Sequence, residues 1–92
     1  MAMDLTIDGA TVVDEADFHA RIRAASGVEW YGGSLDALFD LLIAVVEPPI
    51  ALTITNAAAA RKFIGERFDR ILTVILDAIA ERPHAIMLKL ES

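Results

Sequence analysis

An aromatic pair, a glycine turn and an amphipathic helix follow one another without a break over residues 29–47, and the rest of the chain has to fit around them. Ser34 is placed to cap the helix, because its hydroxyl can accept from the free amides of the first turn. Asp36 sits where the positive end of the helix dipole favours a carboxylate. At 100° per residue, Leu35, Leu38, Leu42, Val45 and Val46 share one side, with Phe39 at its edge. Asp36 and Asp40 lie one turn apart on the other side, and Ile43 leans outward. One face is core, the other is acidic, and Pro48-Pro49 ends the helix because proline cannot continue it.

The acidic face is locally unfavourable. Like charges four residues apart repel by roughly 0.2–0.5 kcal/mol, and no lysine or arginine occurs between Ala24 and Ala60 to relieve them. Glu29, Asp36, Asp40 and Glu47 share that span with Trp30, Tyr31 and Ile43, so the expected surface is negative, aromatic and partly apolar. Such a surface suits a cationic protein partner. The net charge of −6 points the same way and argues against nucleic-acid binding, which needs lysines and arginines to neutralise phosphates.

Ninety-two residues make one domain, 1–92, with room for a single core. Although 55% of the chain is hydrophobic, the longest purely apolar run, residues 41–46, is far shorter than the roughly 20 residues of a membrane helix, so no membrane span is expected. The N-terminus shows no export signal and cysteine is absent, which makes a reducing cytoplasm the simplest home.

Residues 5–7 read as a short strand closed by Asp8-Gly9. A helix follows from Asp14 or Glu15, with Phe18 and Ile22 inward, and Ser26-Gly27 ends it. His19 and Arg23 lie one turn apart on this helix, where the ring is either on a solvated face or buried and bonded to backbone. Beyond the prolines, residues 50–55 read as a buried strand. Asn56 is placed to cap a helix over residues 57–64, and Gly65 separates it from a longer one over 66–81. In that helix Phe68, Ile71, Leu72, Ile75, Leu76 and Ile79 form the expected core stripe. Pro83 stops it, and residues 85–90 are the last strand. Strands alternating with helices predict an α/β fold with right-handed crossovers and a three-stranded parallel sheet.

The motif Tyr-Gly-Gly-Ser-Leu-Asp-Ala-Leu-Phe-Asp, residues 31–40, resembles the aromatic-Tyr-Gly-x-Asn-Leu-Asp-Ala-Leu-Trp-Asp signature of the barstar family. That family comprises bacterial intracellular inhibitors of secreted ribonucleases. Asp8-Gly9 after the first strand, Asp17-Phe18-His19, the acid before the prolines and the terminal strand extend the similarity over nearly the whole chain. It implies a barstar-like sheet packed with four helices and a cis bond at Pro48-Pro49. It also implies a partner: a small, basic, guanyl-specific ribonuclease bound one to one.

By that resemblance Asp40 stands for substrate phosphate in the ribonuclease cleft, and Asp36 contacts loop amides and the basic rim. Trp30 takes the place of a tyrosine that packs on the catalytic histidine, and Asp77 takes that of a glutamate facing a rim arginine. Gly32 presents the aromatic pair, and Tyr31, Phe39, Ile43, Val46 and Glu47 complete the expected partner surface. Phe39 replaces the family's tryptophan and Ser34 its asparagine, changes that bear on which nuclease is recognised.

Asp36 and Asp40 side by side on one helix define no cleft, and no nearby nucleophile completes a catalytic set, so an enzyme is not expected. Gly32-Gly33-Ser34 could cradle a phosphate, but no lysine follows and the adjacent acids would repel the anion. No metal or cofactor is expected. Two other readings stay open: an immunity protein for a different nuclease toxin, and a non-inhibitory acidic interaction domain that dimerises through Ile43.

Overall fold

Parallel pairing of three strands in chain order determines which side of the sheet the helices occupy. The computed structural model describes residues 2–92. Its elements are β1 (Met3–Asp8), α1 (Glu15–Ser26), α2 (Leu35–Asp40), β2 (Ile50–Thr55), α3 (Ala57–Ile64), α4 (Glu66–Glu81) and β3 (Ile86–Leu90). The sheet runs β1-β2-β3, with Met3 opposite Ile50 and Ile50 opposite Ile86. Two right-handed crossovers stepping in the same direction both pass over the same face. Burial follows that geometry: Met3, Ile7, Ile50, Leu52, Ile54 and Ile86 are buried, while Asp4, Thr6, Met87 and Lys89 on the opposite face are exposed. The expected buried strands are thus buried on one face only. No helix among the described residues is long and apolar enough to cross a membrane.

Helix ends follow the local chemistry at α1. Asp14 accepts from the Asp17 amide at 2.8 Å, and Gly27, at φ +72°, closes the helix by donating to the Arg23 carbonyl. Asn56 does not cap α3 with its side chain as expected. It adopts a left-handed backbone conformation, and its amide donates to Asp8 at 2.8 Å, tying the end of β2 to the end of β1. Gly9 lies beside that junction, where a Cβ would come within 2.3 Å of the Asn56 carbonyl oxygen. Only glycine fits there.

The helix after Ser34 departs from its expected regularity. Ser34 caps α2 through the Ala37 amide at 3.0 Å, but beyond Asp40 the chain widens into a π-helical turn, Leu41–Val45, closed by the Val46 amide donating to the Leu41 carbonyl. The wide turn brings Leu41, which a uniform 100° step places off the apolar stripe, into the core beside Leu38 and Leu42. Phe18 and Ile22 of α1 and Phe68, Ile71 and Ile75 of α4 complete that core. Leu76 does not belong to it, being 55% exposed. Pro48-Pro49 is cis.

Candidate functional site

Helices α2 and α4 pack against each other and leave between them a groove of about 510 Å3. Half-buried Leu35, Phe39 and Val74 make its apolar floor, and exposed Asp36, Asp40 and Asp77 stand around it. Two of these acids are neighbours on one helix. The third comes from another element, forty residues away in sequence, and only the tertiary fold brings it near. Leu35 and Val74 were not among the expected site residues; Val74 gives a sequence signal only as an apolar position flanking the α4 core stripe.

Among the described residues no ion pair or hydrogen bond engages these carboxylates. Arginine and lysine pair instead with Asp17, Asp69, Glu15 and Glu91, and among the described residues none reaches Asp36, Asp40 or Asp77. Two other arginines donate to backbone at the two ends of the acidic span. The Arg23 guanidinium gives Nε and Nη2 to the Tyr31 carbonyl at 3.1 and 2.8 Å, and Arg82 gives Nη1 to the carbonyls of Leu42 and Val46 at 2.8 and 3.3 Å.

Trp30 lies outside the groove, on the loop leading into α2, and is 72% exposed. Tyr31 behaves differently from the expectation that the aromatic pair shares the surface. It is 2% exposed, and its hydroxyl lies 2.6 Å from Nδ1 of the buried His19. His19 is accordingly neither solvated nor bonded to backbone: its Nε2 meets the Glu15 carboxylate at 3.1 Å. A carboxylate only accepts, so in the neutral ring Nε2 carries the proton and Nδ1 accepts from the Tyr31 hydroxyl. Burial pushes the phenol's pKa up, which keeps that donor protonated. Glu15 also accepts from Arg67 at 2.8 and 3.2 Å, and this guanidinium, followed by His19, holds the carboxyl below its usual range. The chain Arg67, Glu15, His19, Tyr31 thus fixes the loop from beneath.

The remaining expected contacts divide in the same way. Gly32 and Glu47 are exposed and Ile43 is half-buried against the core, while Val46 is buried and offers no side-chain surface. Ile43 lies within the π-helical turn, where a regular helix would leave it on the acidic side. Gly33, at φ +75°, lets the chain turn from Tyr31 to the Ser34 cap, and a Cβ there would sit 3.4 Å from that of His19.

What this arrangement can do is hold cationic groups against carboxylates over an apolar floor, beside a presented indole. Comparison with known proteins bears on the family of the chain. The family model described as "Barstar (barnase inhibitor)" matches residues 2–91. A relative from Bacillus subtilis (strain 168), carrying the name "Putative ribonuclease inhibitor YrdF", is 38% identical over 53 residues. That match spans 58% of this chain and 58% of the relative. With the family model covering nearly every residue, the chain belongs to the barstar (barnase inhibitor) family.

Proposed function

We propose that this domain inhibits a small, basic, guanyl-specific ribonuclease by plugging its active site, one to one, and catalyses nothing itself. The observation that carries the reading is the groove between α2 and α4, where Asp36, Asp40 and Asp77 converge and no cation among the described residues pairs with them. A ribonuclease cleft holds phosphate with arginine, lysine and histidine. A carboxylate on a packed helix, filling the phosphate position, blocks RNA without needing to react. Asp40 takes that position, Asp36 and Asp77 meet the basic rim, and Trp30 packs its indole on the catalytic imidazole. The reading places the domain in the cytoplasm of the cell that makes the ribonuclease, where an inhibitor protects the cell's RNA before export.

Titrating purified guanyl-specific ribonucleases with the protein tests this. Activity should fall linearly to zero at one equivalent. If none is inhibited while a nuclease of another specificity is, the domain is an immunity protein for that toxin. Inhibition of neither would overturn the reading.

A further inference from the structure

Two arginines spend their donors on backbone carbonyls rather than on the groove carboxylates, one at each end of the acidic stretch. At the entry, Nε and Nη2 of Arg23 fork onto the single carbonyl oxygen of Tyr31 at 3.1 and 2.8 Å, and the guanidinium carbon stands 6.0 Å from the centre of the Tyr31 ring. At the exit, Nη1 of Arg82 bridges the carbonyls of Leu42 and Val46. The π-helical turn leaves these helix-end carbonyls in need of a donor, because the Val46 amide is used on Leu41. Asp36 and Asp40, between the two clamps, receive no cation among the described residues.

We infer that Arg23 and Arg82 are positioning residues. Arg23 fixes the loop so that Trp30, on the peptide next to the gripped carbonyl, is presented in its binding orientation, and Arg82 fixes the turn that ends the acidic helix. Both preorganise the surface while leaving its charge unneutralised. The inference rests on the proposed inhibitory role for its purpose, but its physical content is a statement about the free protein. Simple electrostatics predicts the opposite kinetic outcome. A cation beside an acidic surface weakens its field, so deleting the charge alone would speed capture of a basic partner. Deleting a clamp loosens the bound geometry and speeds dissociation.

Trp30 is the protein's one tryptophan, so its fluorescence reports this loop directly. In the free protein, Arg23→Met should enlarge the fast local component of the indole's anisotropy decay. Arg23→Lys, which keeps the charge but not the fork, should do the same. In Arg82→Met the Val46 amide should exchange on the order of tenfold faster, as for the loss of a charge-assisted hydrogen bond. If that variant fails to fold, Arg82→Gln, which keeps one donor, replaces it. Against one inhibited ribonuclease, Arg23→Met should dissociate about tenfold faster, and on a Trp30→Ala background it should add nothing, because it acts through Trp30. Unchanged indole mobility, full rescue by lysine, unchanged Val46 exchange, or an undiminished Arg23 effect without Trp30 would each overturn the proposal. If no ribonuclease is inhibited, the proposed function fails, yet the anisotropy and exchange experiments still decide whether the clamps exist.

Discussion

Around α1 nearly every charge is answered, whereas across the groove none is. Asp17 holds Arg21 at 3.1 Å, and Glu15 holds both Arg67 and His19. Asp36, Asp40 and Asp77 pair with no cation among the described residues. The first set ties α1 to α4 and to the loop that carries Trp30, so its worth is structural. The second costs the fold a little through like-charge repulsion and returns nothing to it. Unpaired acids concentrated on a shaped surface suit a cationic partner from outside, and their mutual repulsion costs the fold some stability.

The comparison breaks most decisively at Asp40. If the groove acids serve binding, Asp40→Ala should weaken the ribonuclease complex by several kcal/mol, since it leaves desolvated cations of the partner unanswered. Barstar itself is the reference case for an alanine effect of this size, so the magnitude is carried over from the family. Trp30→Ala should follow at about 2 kcal/mol through lost aromatic packing. Asp36→Ala should cost less, and Asp77→Ala least of the four, because its short side chain approaches from α4 at the rim. Dissociation constants for these variants, with Asp14→Ala and Glu81→Ala as near-neutral controls, test the order. An Asp40→Ala effect no larger than that of Glu81→Ala would remove the groove from the inhibitory surface.

Salt sharpens the same contrast on a smaller scale. Exposed, unpaired acids steer a cationic partner over a Debye length of about 10 Å at 0.1 M, so association should slow as ionic strength rises, by on the order of tenfold or more between 0.01 and 0.5 M. Stopped-flow rates indifferent to salt would show that the groove does not guide encounter.

Much of this surface was legible in the sequence because its cues are local. The Ser34 cap, the Asp36 and Asp40 pair and the glycine turn at Gly32-Gly33 are all read within a few residues, and so were the bounds of α3 and α4. What periodicity missed came from longer-range packing. A uniform helical step cannot show that the chain widens after Asp40, which is why Leu41 was left out of the core and Ile43 was expected to lean outward. Tyr31 read as half of an exposed pair because the partner that buries it, His19, sits on a different helix, although Glu15 and His19 at helical spacing were a visible hint. Leu76 continued the α4 stripe in sequence, but α4 presents it to solvent.

A third test addresses the answered charges. Arg67 holds the Glu15 carboxyl below its usual range, so the ionised form contributes stability above pH ~4.5, the unfolded value, and that contribution is lost as pH falls through the lower folded value. Glu15→Gln should therefore lower stability at pH 7 by about 1–2 kcal/mol, because Arg67 loses its ion pair and His19 its charged acceptor. The deficit should shrink as pH falls below 4.5 and through the lower folded value. Thermal melts across that range measure it. A deficit independent of pH would mean that the pair contributes through packing rather than charge.

The smallest expected effect has the opposite sign. Asp40 lies one turn beyond Asp36 on the same helix face, with no cation nearby, and it stands away from the helix N-terminus where a carboxylate is favoured. Asp40→Asn keeps the shape and removes the repulsion, so at pH 7 and low salt it should stabilise the free protein by roughly 0.2–0.5 kcal/mol. That gain is a rise in melting temperature of about 1–3 °C for a domain of this size. Asp36→Asn relieves the same repulsion but gives up the favourable site in the first turn, so its net change should be close to zero. Both differences should vanish in high salt, where exposed charges are screened. The variant that weakens inhibition most would then be the one that improves the fold. Melting Asp40→Asn beside wild type in low and high salt decides this. A loss of stability at low salt would show that Asp40 has a structural partner within the protein, and its assignment to an external cation would fall.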